Sequence, residues 1–268
     1  MPPSKQDQPL LTPTLLLSTT IATTVSLVSI SIFKRLQPFN SIHSIPKSYF
    51  NTGKTIYGRV TSVGDGDNFH MIHTPGGLVG GWGWFRRIPG YGSDSKHKKL
   101  KGKSKSKASQ LKGKTIPVRL YAIDAPERPH FGHKEQPHSL ESLQWLRSRL
   151  LDNYIRVKPF KVDQYGRVVG KVKVYPRYWR WWFGWDVSKE MVKKGMAVVY
   201  ESCKSGEYDG QFEHFKKLEN RAKFWQRGLW AKKFHTGGRV VTPGEYKGSL
   251  RGFADVKKEV RQKKTKKK

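Results

Sequence analysis

The chain has 268 residues, and its 52 Lys and Arg against 20 Asp and Glu give a formal net charge of +32 at pH 7. Hydrophobic residues at 36% together with 26 glycines exclude a wholly disordered chain, and the single cysteine, Cys203, excludes a disulfide framework within the chain and cysteine-rich metal sites. The excess of positive charge predicts a polyanionic partner, either nucleic acid or an anionic membrane surface.

The first predicted element is an apolar run at residues 14–33, which contains no charged side chain. Its 20 residues are just long enough for a transmembrane helix, although serine and threonine make the run only moderately hydrophobic. A cleaved signal peptide is the main alternative, but no basic segment precedes the run and no cleavage site of the A-x-A type follows it. Because Lys34 and Arg35 follow directly, the positive-inside tendency would keep the large C-terminal part on the side of synthesis.

Five segments rich in β-branched and aromatic residues predict strands at 55–63, 68–73, 115–123, 154–162 and 168–175. Apolar spacing and terminal signals predict helices at 138–151, 187–194 and 210–227. Short strands with helices after and between them indicate an α+β fold, in which a small closed barrel is packed by helices.

Two basic segments extend this compact domain. Residues 96–114 contain nine lysines and no acidic residue, and residues 257–268 have a net charge of +7. Such segments cannot bury enough apolar surface to fold, and they account for half of the net charge. The predicted organisation is an N-terminal tail at 1–13, a transmembrane anchor at 14–33, a linker at 34–53, a folded domain at 54–235 with a Gly- and Lys-rich insert at 76–114, and a disordered basic tail at 236–268.

Acidic residues are scarce, and two groups of them lie at predicted strand ends. Asp65 and Asp67 flank a glycine between the first two strands, and the sequence Asp124-Ala125-Pro126-Glu127 ends the third. A hard cation such as calcium takes oxygen ligands, which the carboxylates of Asp67 and Asp124 and the carbonyl of Ala125 could supply. Taken singly, the first motif is also an ordinary hairpin turn and the second a helix or turn cap.

Two arginines accompany these acidic motifs. Arg119 lies five residues before Asp124, and Arg167 lies between the last two strands. Planar guanidinium groups bond two phosphate oxygens at once, so a cation, a carboxylate that polarises water and two arginines form a phosphoryl-transfer site. In an ideal strand Arg119 and Asp124 point to opposite faces, so the strand must bulge or end before Asp124 if both contact one phosphate.

The order D-G-D, R-L-x-x-I-D-A-P-E, Y-G-R and a final G-L-W resembles the staphylococcal nuclease (thermonuclease) family over about residues 54–231. The apolar run and the basic inserts are most similar to the fungal branch of endonucleases anchored in mitochondrial membranes. The resemblance implies a five-stranded OB-fold barrel with three helices, a calcium cofactor, and hydrolysis of DNA and RNA with little sequence preference. The folded domain is then a nuclease domain, in a single-pass mitochondrial membrane protein whose protein partners cannot be inferred.

The resemblance also implies roles for individual residues. Asp67 and Asp124 match the calcium carboxylates, and Ala125 stands where a threonine donates its carbonyl in the family. Asp65 matches an acidic position behind these ligands.

Three further positions match the catalytic residues of the family. Glu127 matches the residue usually assigned as general base for the attacking water. Arg119 and Arg167 match the phosphate-binding arginines, assigned respectively to the developing charge and to the leaving group.

Other residues allow competing interpretations. His130, His133 and His138 could bind zinc, but no cysteine or close acid completes a tetrahedral set, which favours loop histidines near the substrate. Cys203 has no obvious base partner that would make it a nucleophile.

Six of the nine tryptophans lie in two clusters with arginines: Trp82 and Trp84, and Trp179, Trp181, Trp182 and Trp185. They could stack on unpaired bases, rest at a bilayer interface or pack as a small satellite core.

Two other functional classes compete with an enzyme. The first is a barrel that binds nucleic acid or protein without catalysis, and the second is a membrane-tethering protein whose basic segments bind anionic lipid. The presence of all five site residues favours the enzyme.

Overall fold

The computed structural model describes residues 13–89, 91, 107–128, 135–175, 184–201, 208–231 and 240–249. The chain divides into two units, Met1–Pro38 and Phe39–Lys268. Several residues discussed above lie outside the described residues: His130, His133, Trp179, Trp181, Trp182, Cys203, residues 96–106 and residues 257–268.

The described part of the first unit forms helix α1 (Pro13–Arg35), which spans the predicted apolar run. Its hydroxyl groups bond to the preceding turn, as when Thr23 Oγ1 donates to the carbonyl of Thr19 at 3.0 Å. The apolar side chains of α1 that the structure describes, among them Leu27 and Phe33, are exposed. Over the described residues, no helix combines the length and the apolar character needed to cross a membrane.

The second unit has eight described strands: β1 (Ile56–Val63), β2 (Asn68–His73), β3 (Ile116–Leu120), β4 (Ile123–Asp124), β5 (Tyr154–Val162), β6 (Val168–Val174), β7 (Trp185–Asp186) and β8 (Val198–Val199). Its described helices are α2 (Lys47–Thr52), α3 (Lys107–Leu111), α4 (Ser139–Leu150), α5 (Val187–Lys194), α6 (Phe212–Phe224) and α7 (243–249), with 3-10 turns at Ile42–Ser44 and Gly228–Trp230. The five predicted strands and three predicted helices are confirmed, although the third strand is shorter than predicted.

Five strands close into a barrel. The neighbour order is β3-β2-β1-β5-β6, all antiparallel, and a parallel pairing of β3 with β6 joins the two ends of the sheet. Because side chains alternate along a strand, one face of each strand points inward, and Val60, Phe69, Val118 and Val172 are buried there. The predicted five-stranded OB-fold barrel is thus confirmed.

Three helices complete the core of this unit. Leu146 of α4, Met191 of α5 and Phe215 of α6 are fully buried in the same cluster as the barrel interior. Among the residues that the structure describes, the cluster takes its buried residues from Ile45 to Leu218, so α1 contributes none of them. A variant that lacks residues 1–35 therefore keeps every buried core residue.

Part of the segment predicted as a linker, 34–53, is folded against the barrel. Ile45 is buried in the core, and Phe39 stacks on His73 with ring centroids 4.4 Å apart. The amide of Phe39 also donates to Nδ1 of His73 at 2.9 Å. The apolar residues of this segment lack a regular spacing, so the sequence pattern gave no sign that they pack on the last residue of β2.

The predicted tail, 236–268, is also partly folded, because residues 243–249 form α7. A basic segment is expected to stay in solvent, but here a lysine of the segment binds to an acidic surface of the barrel. That surface is the candidate active site.

The two tryptophan clusters combine buried and exposed side chains. Trp82 is buried in a small cluster with Ile72 and Ile88, and Trp185 packs edge-on against Trp145 with centroids 6.2 Å apart. Trp84, in contrast, is exposed. The satellite-core interpretation thus holds for Trp82 and does not hold for Trp84.

Candidate active site

The D-G-D turn between β1 and β2 lies directly against the end of the third strand. The amide of Leu120 donates to the carbonyl of Asp67 at 2.9 Å. A Cβ atom at Gly66 would lie 2.7 Å from the Cβ of Ala125 and 2.9 Å from Oγ of Ser142. Only glycine permits this approach, so Gly66 allows the turn to bring Asp67 next to the Asp124-Ala125 segment.

A break in the strand places Arg119 and Asp124 on one side. Strand β3 ends at Leu120, Ala122 adopts a positive φ of 61°, and β4 begins at Ile123 and pairs with β8. The alternation of side chains is therefore interrupted between the two site residues. The predicted irregularity before Asp124 is confirmed.

Arg119 joins the two acidic motifs. Its Nη2 atom lies 3.0 Å from Oδ2 of Asp67 and 3.1 Å from Oδ1 of Asp124. Both carboxylates are largely buried, and the side chain of Asp124 is only 2% exposed. The structure thus brings together three of the five predicted site residues around one guanidinium group.

The carboxylates of this cluster influence one another. Burial, followed by the neighbouring charge of Asp67, raises the pKa of Asp65 to about 6. Burial also raises the pKa of Asp124, against the opposing effect of the ammonium group of Lys247. Buried carboxylates are stable as anions only when cations lie close to them, so this cluster requires positive charge.

Lys247 supplies part of that charge. Its Nζ lies 2.8 Å from both carboxylate oxygens of Asp124 and 2.8 Å from Oε1 of Glu127. Asp124 and Glu127 therefore share one cation, the ammonium group of Lys247 on α7.

Gln136 connects this helix to the loop that contains Glu127. The amide of Glu127 donates to Oε1 of Gln136 at 3.1 Å, and Nε2 of Gln136 donates to the carbonyl of Val241 at 2.7 Å. Gln136 is 1% exposed. These bonds hold residues 240–249 across the acidic cluster.

Arg167 lies in a tight turn that Asp163 organises. Oδ1 of Asp163 accepts from the amides of Tyr165 and Arg167, and its Oδ2 accepts from Nε of Arg167 at 2.7 Å. Within the described residues, Arg167 forms its ion pair with Asp163 and not with the acidic cluster. The residue after Arg167 pairs with Val118, the neighbour of Arg119, so Arg167 lies just before the strand that pairs with the strand of Arg119.

The donors of the cluster fit a hard cation. Carboxylate oxygens from Asp67 and Asp124, with the carbonyl of Ala125, are the ligand types that calcium prefers and zinc does not. The ammonium group of Lys247 among three carboxylate oxygens shows that the site accommodates positive charge. Among the described residues, no group of three or more His, Cys, Asp or Glu side chains is arranged to hold a metal ion, so water would have to complete the coordination.

The sequence analysis missed Lys247, Gln136 and Asp163. Lys247 lies 123 residues after Asp124 in a strongly basic segment, and no local pattern distinguishes it from the other lysines. Gln136 likewise has no local signal. Asp163 could have been found, because an Asp four residues before an Arg with an intervening glycine is typical of a side-chain-bonded turn.

Comparison with known proteins gives consistent matches. Residues 117–232 match the family described as staphylococcal nuclease homologue. The chain is 46% identical over 227 residues to the probable endonuclease LCL3 of Komagataella phaffii, a match that covers 84% of this chain and 89% of the relative. The probable endonuclease LCL3 of Yarrowia lipolytica is 44% identical, with 85% and 91% covered, and that of Saccharomyces cerevisiae is 40% identical, with 85% and 92% covered.

Proposed function

Since the chain belongs to the family of staphylococcal nuclease homologues and is a nuclease, we propose that it cleaves DNA and RNA as a calcium-dependent endonuclease with little sequence preference. The observation that supports this proposal most directly is the position of Arg119, whose guanidinium group lies within 3.1 Å of both Asp67 and Asp124. A phosphate bound beside this guanidinium would lie next to the carboxylates that hold the cation.

Each site residue has a role in this proposal. Asp67 and Asp124 would hold calcium together with the carbonyl of Ala125, and the ion would supply charge neutralisation at the phosphate. Arg119 would donate to the non-bridging oxygens, whose negative charge grows as water attacks phosphorus. Glu127 would accept the proton of that water. Its carboxylate lies close to that of Asp124, because both contact the ammonium group of Lys247.

Arg167 would act on the other side of the phosphate. Its bond to Asp163 uses Nε, and a guanidinium group has four further N–H donors on its terminal nitrogens. One of these could donate to the oxygen that leaves when the phosphorus–oxygen bond breaks. Asp163 would thereby orient Arg167.

A plasmid-nicking assay tests the proposal directly. We expect a purified chain that lacks residues 1–35 to convert supercoiled plasmid to nicked and linear forms with calcium and to leave it intact with a calcium chelator. The thermal unfolding curve should persist in chelator, because the barrel core contains no ion ligand. Plasmid binding without cleavage under both conditions would contradict the proposal and favour a barrel that binds nucleic acid without catalysis.

We also propose that residues 14–33 anchor the protein in a membrane, which the resemblance assigns to the mitochondrion as a single-pass protein. The support is the absence of charge over 20 residues and the exposure of the apolar side chains described on α1. Such a surface is stable when lipid covers it.

Alkaline carbonate extraction tests the anchor. The full chain is expected to stay in the membrane pellet, whereas the chain that lacks residues 1–35 should be released into the supernatant. Release of both forms would show that residues 14–33 do not anchor the protein.

A further inference from the structure

The loop between β2 and β3 exposes a cluster of large apolar side chains. Val79 is 96% exposed, Phe85 79%, Trp84 75% and Leu78 48%. We call these four residues the aromatic tip. A soluble protein rarely exposes a contiguous group of this kind unless a partner covers it.

A folded loop holds the aromatic tip outward. Trp82, only 5% exposed, packs with Ile72 and Ile88, and its Nε1 donates to the carbonyl of Pro75 at 3.1 Å. Trp84 Nε1 donates to the carbonyl of Leu78 at 2.9 Å. The apolar side chains at the tip are therefore displayed by hydrogen-bonded structure while a neighbouring tryptophan is buried.

The loop is also fixed to the wall of the barrel. The hydroxyl of Tyr91 donates to Asp152, which lies between α4 and β5. The guanidinium group of Arg59, on β1, lies 3.8 Å from the centre of the Tyr91 ring. Through these contacts, the orientation of the barrel determines the direction in which the tip points.

The tip and the acidic cluster lie at opposite ends of the β2–β3 pair. Asn68, next to Asp67, pairs with Arg119 at one end, whereas Met71 pairs with Ile116 toward the other. The loop that holds the tip follows His73, beyond Met71. Binding of nucleic acid at the acidic cluster therefore does not by itself bring the nucleic acid to the tip.

The chain also enters the barrel at the end where the tip lies. Phe39 is bound to His73, the residue from which the loop departs. In sequence, only residues 36–38 separate Phe39 from α1. The first residue of the second unit and the base of the loop that holds the tip therefore lie at the same end of the barrel.

The charge that adjoins the tip in sequence favours an anionic bilayer. Residues 76–114 contain eleven basic residues, including Arg86 and Arg87, against a single acidic residue, Asp94. Tryptophan and phenylalanine are favoured at the boundary between headgroups and acyl chains, and adjacent basic residues are attracted by anionic headgroups. A lipid surface matches both the apolar side chains and the positive charge.

We propose that the aromatic tip inserts into the surface of an anionic lipid bilayer as a second membrane contact, separate from α1. The contact would hold the barrel with its acidic cluster directed away from the bilayer and open to nucleic acid. Nuclease activity does not depend on this contact, so the inference and the proposed function can each be wrong without the other.

Vesicle flotation with the chain that lacks residues 1–35 tests the inference. We expect it to float with vesicles of equal parts phosphatidylcholine and phosphatidylglycerol and to remain at the bottom with phosphatidylcholine alone. The combined substitutions Val79→Ser, Trp84→Ser and Phe85→Ser should reduce flotation at least about tenfold. Plasmid nicking should be unchanged and would confirm that this variant is folded.

The matched control is the pair Phe224→Ser and Trp225→Ser, since these two aromatic residues are also exposed but lie at the end of α6. This control should float like the parent. Equal flotation of the tip variant and the parent would overturn the inference. A loss of affinity for single-stranded DNA in the tip variant, with flotation unchanged, would also overturn it and assign the tip to nucleic acid.

Discussion

Replacement of Arg119 by alanine is expected to reduce the rate of plasmid cleavage at least about 100-fold, the scale on which removal of one transition-state donor acts. The guanidinium group is the link between Asp67 and Asp124, and no other described arginine contacts both carboxylates. Rates at saturating plasmid should fall, because the donor is needed most when charge accumulates on the phosphate oxygens.

Loss of this arginine also removes a cation from the buried carboxylates of Asp67 and Asp124, although Asp124 keeps Lys247 beside it, so we expect the fold to weaken together with activity. Arg119→Lys separates the two effects. It keeps the positive charge but loses the planar pair of donors, and we expect a near-parental unfolding temperature with activity still far below the parent. Arg149→Ala, on the exposed side of α4, is the control and should cleave normally. Parental cleavage by Arg119→Ala would contradict the assignment.

The second large effect is expected at Asp124. Asp124→Asn should weaken calcium binding at least about 100-fold, because the charge of the ligand set governs affinity for this ion. The amide keeps the size of the side chain, so the change tests charge more than packing. Isothermal titration with calcium measures the affinity without reliance on cleavage, and the nicking assay should show a parallel loss.

Lys247→Ala should have the opposite effect on calcium. Its ammonium group contacts one oxygen of Glu127 and both oxygens of Asp124, and a bound ion would need the oxygens of Asp124. Removal of this competitor is expected to tighten calcium binding about tenfold, or about 1.4 kcal/mol. Lys216→Ala, which removes a lysine paired with Glu201 and Glu219 away from the cluster, should leave the affinity unchanged. An unchanged affinity in Lys247→Ala would show that α7 does not compete with the ion.

The acidic site shows which site residues can be predicted from local sequence patterns. The two aspartates and Arg119 were recognisable because D-G-D and R-L-x-x-I-D-A-P-E are short motifs at predicted strand ends. The requirement for an irregular strand before Asp124 followed from the alternation of side chains alone. The residue that provides it, Ala122 with its positive φ, could not be predicted, because alanine has no preference for that conformation.

The errors have a common origin in contacts between distant parts of the chain. Residues 34–53 resembled a linker, because nothing local shows that Phe39 stacks on His73. Residues 236–268 resembled a solvated tail, because local composition does not reveal that Lys247 meets Asp124. The clustered tryptophans likewise gave no indication that Trp82 is buried while Trp84 is exposed.

The sequence by itself determined the strands, the helices and the residue types of the site, since these depend on periodicity and on motifs within a few residues. The tertiary structure alone decided which cations face the carboxylates, which end of the barrel receives the N-terminal segment and which apolar side chains remain exposed. The physical reason is that folding brings together residues far apart in sequence, such as Asp124 and Lys247, which are 123 positions apart. A charge or an apolar surface is then compensated by whatever lies next to it in space.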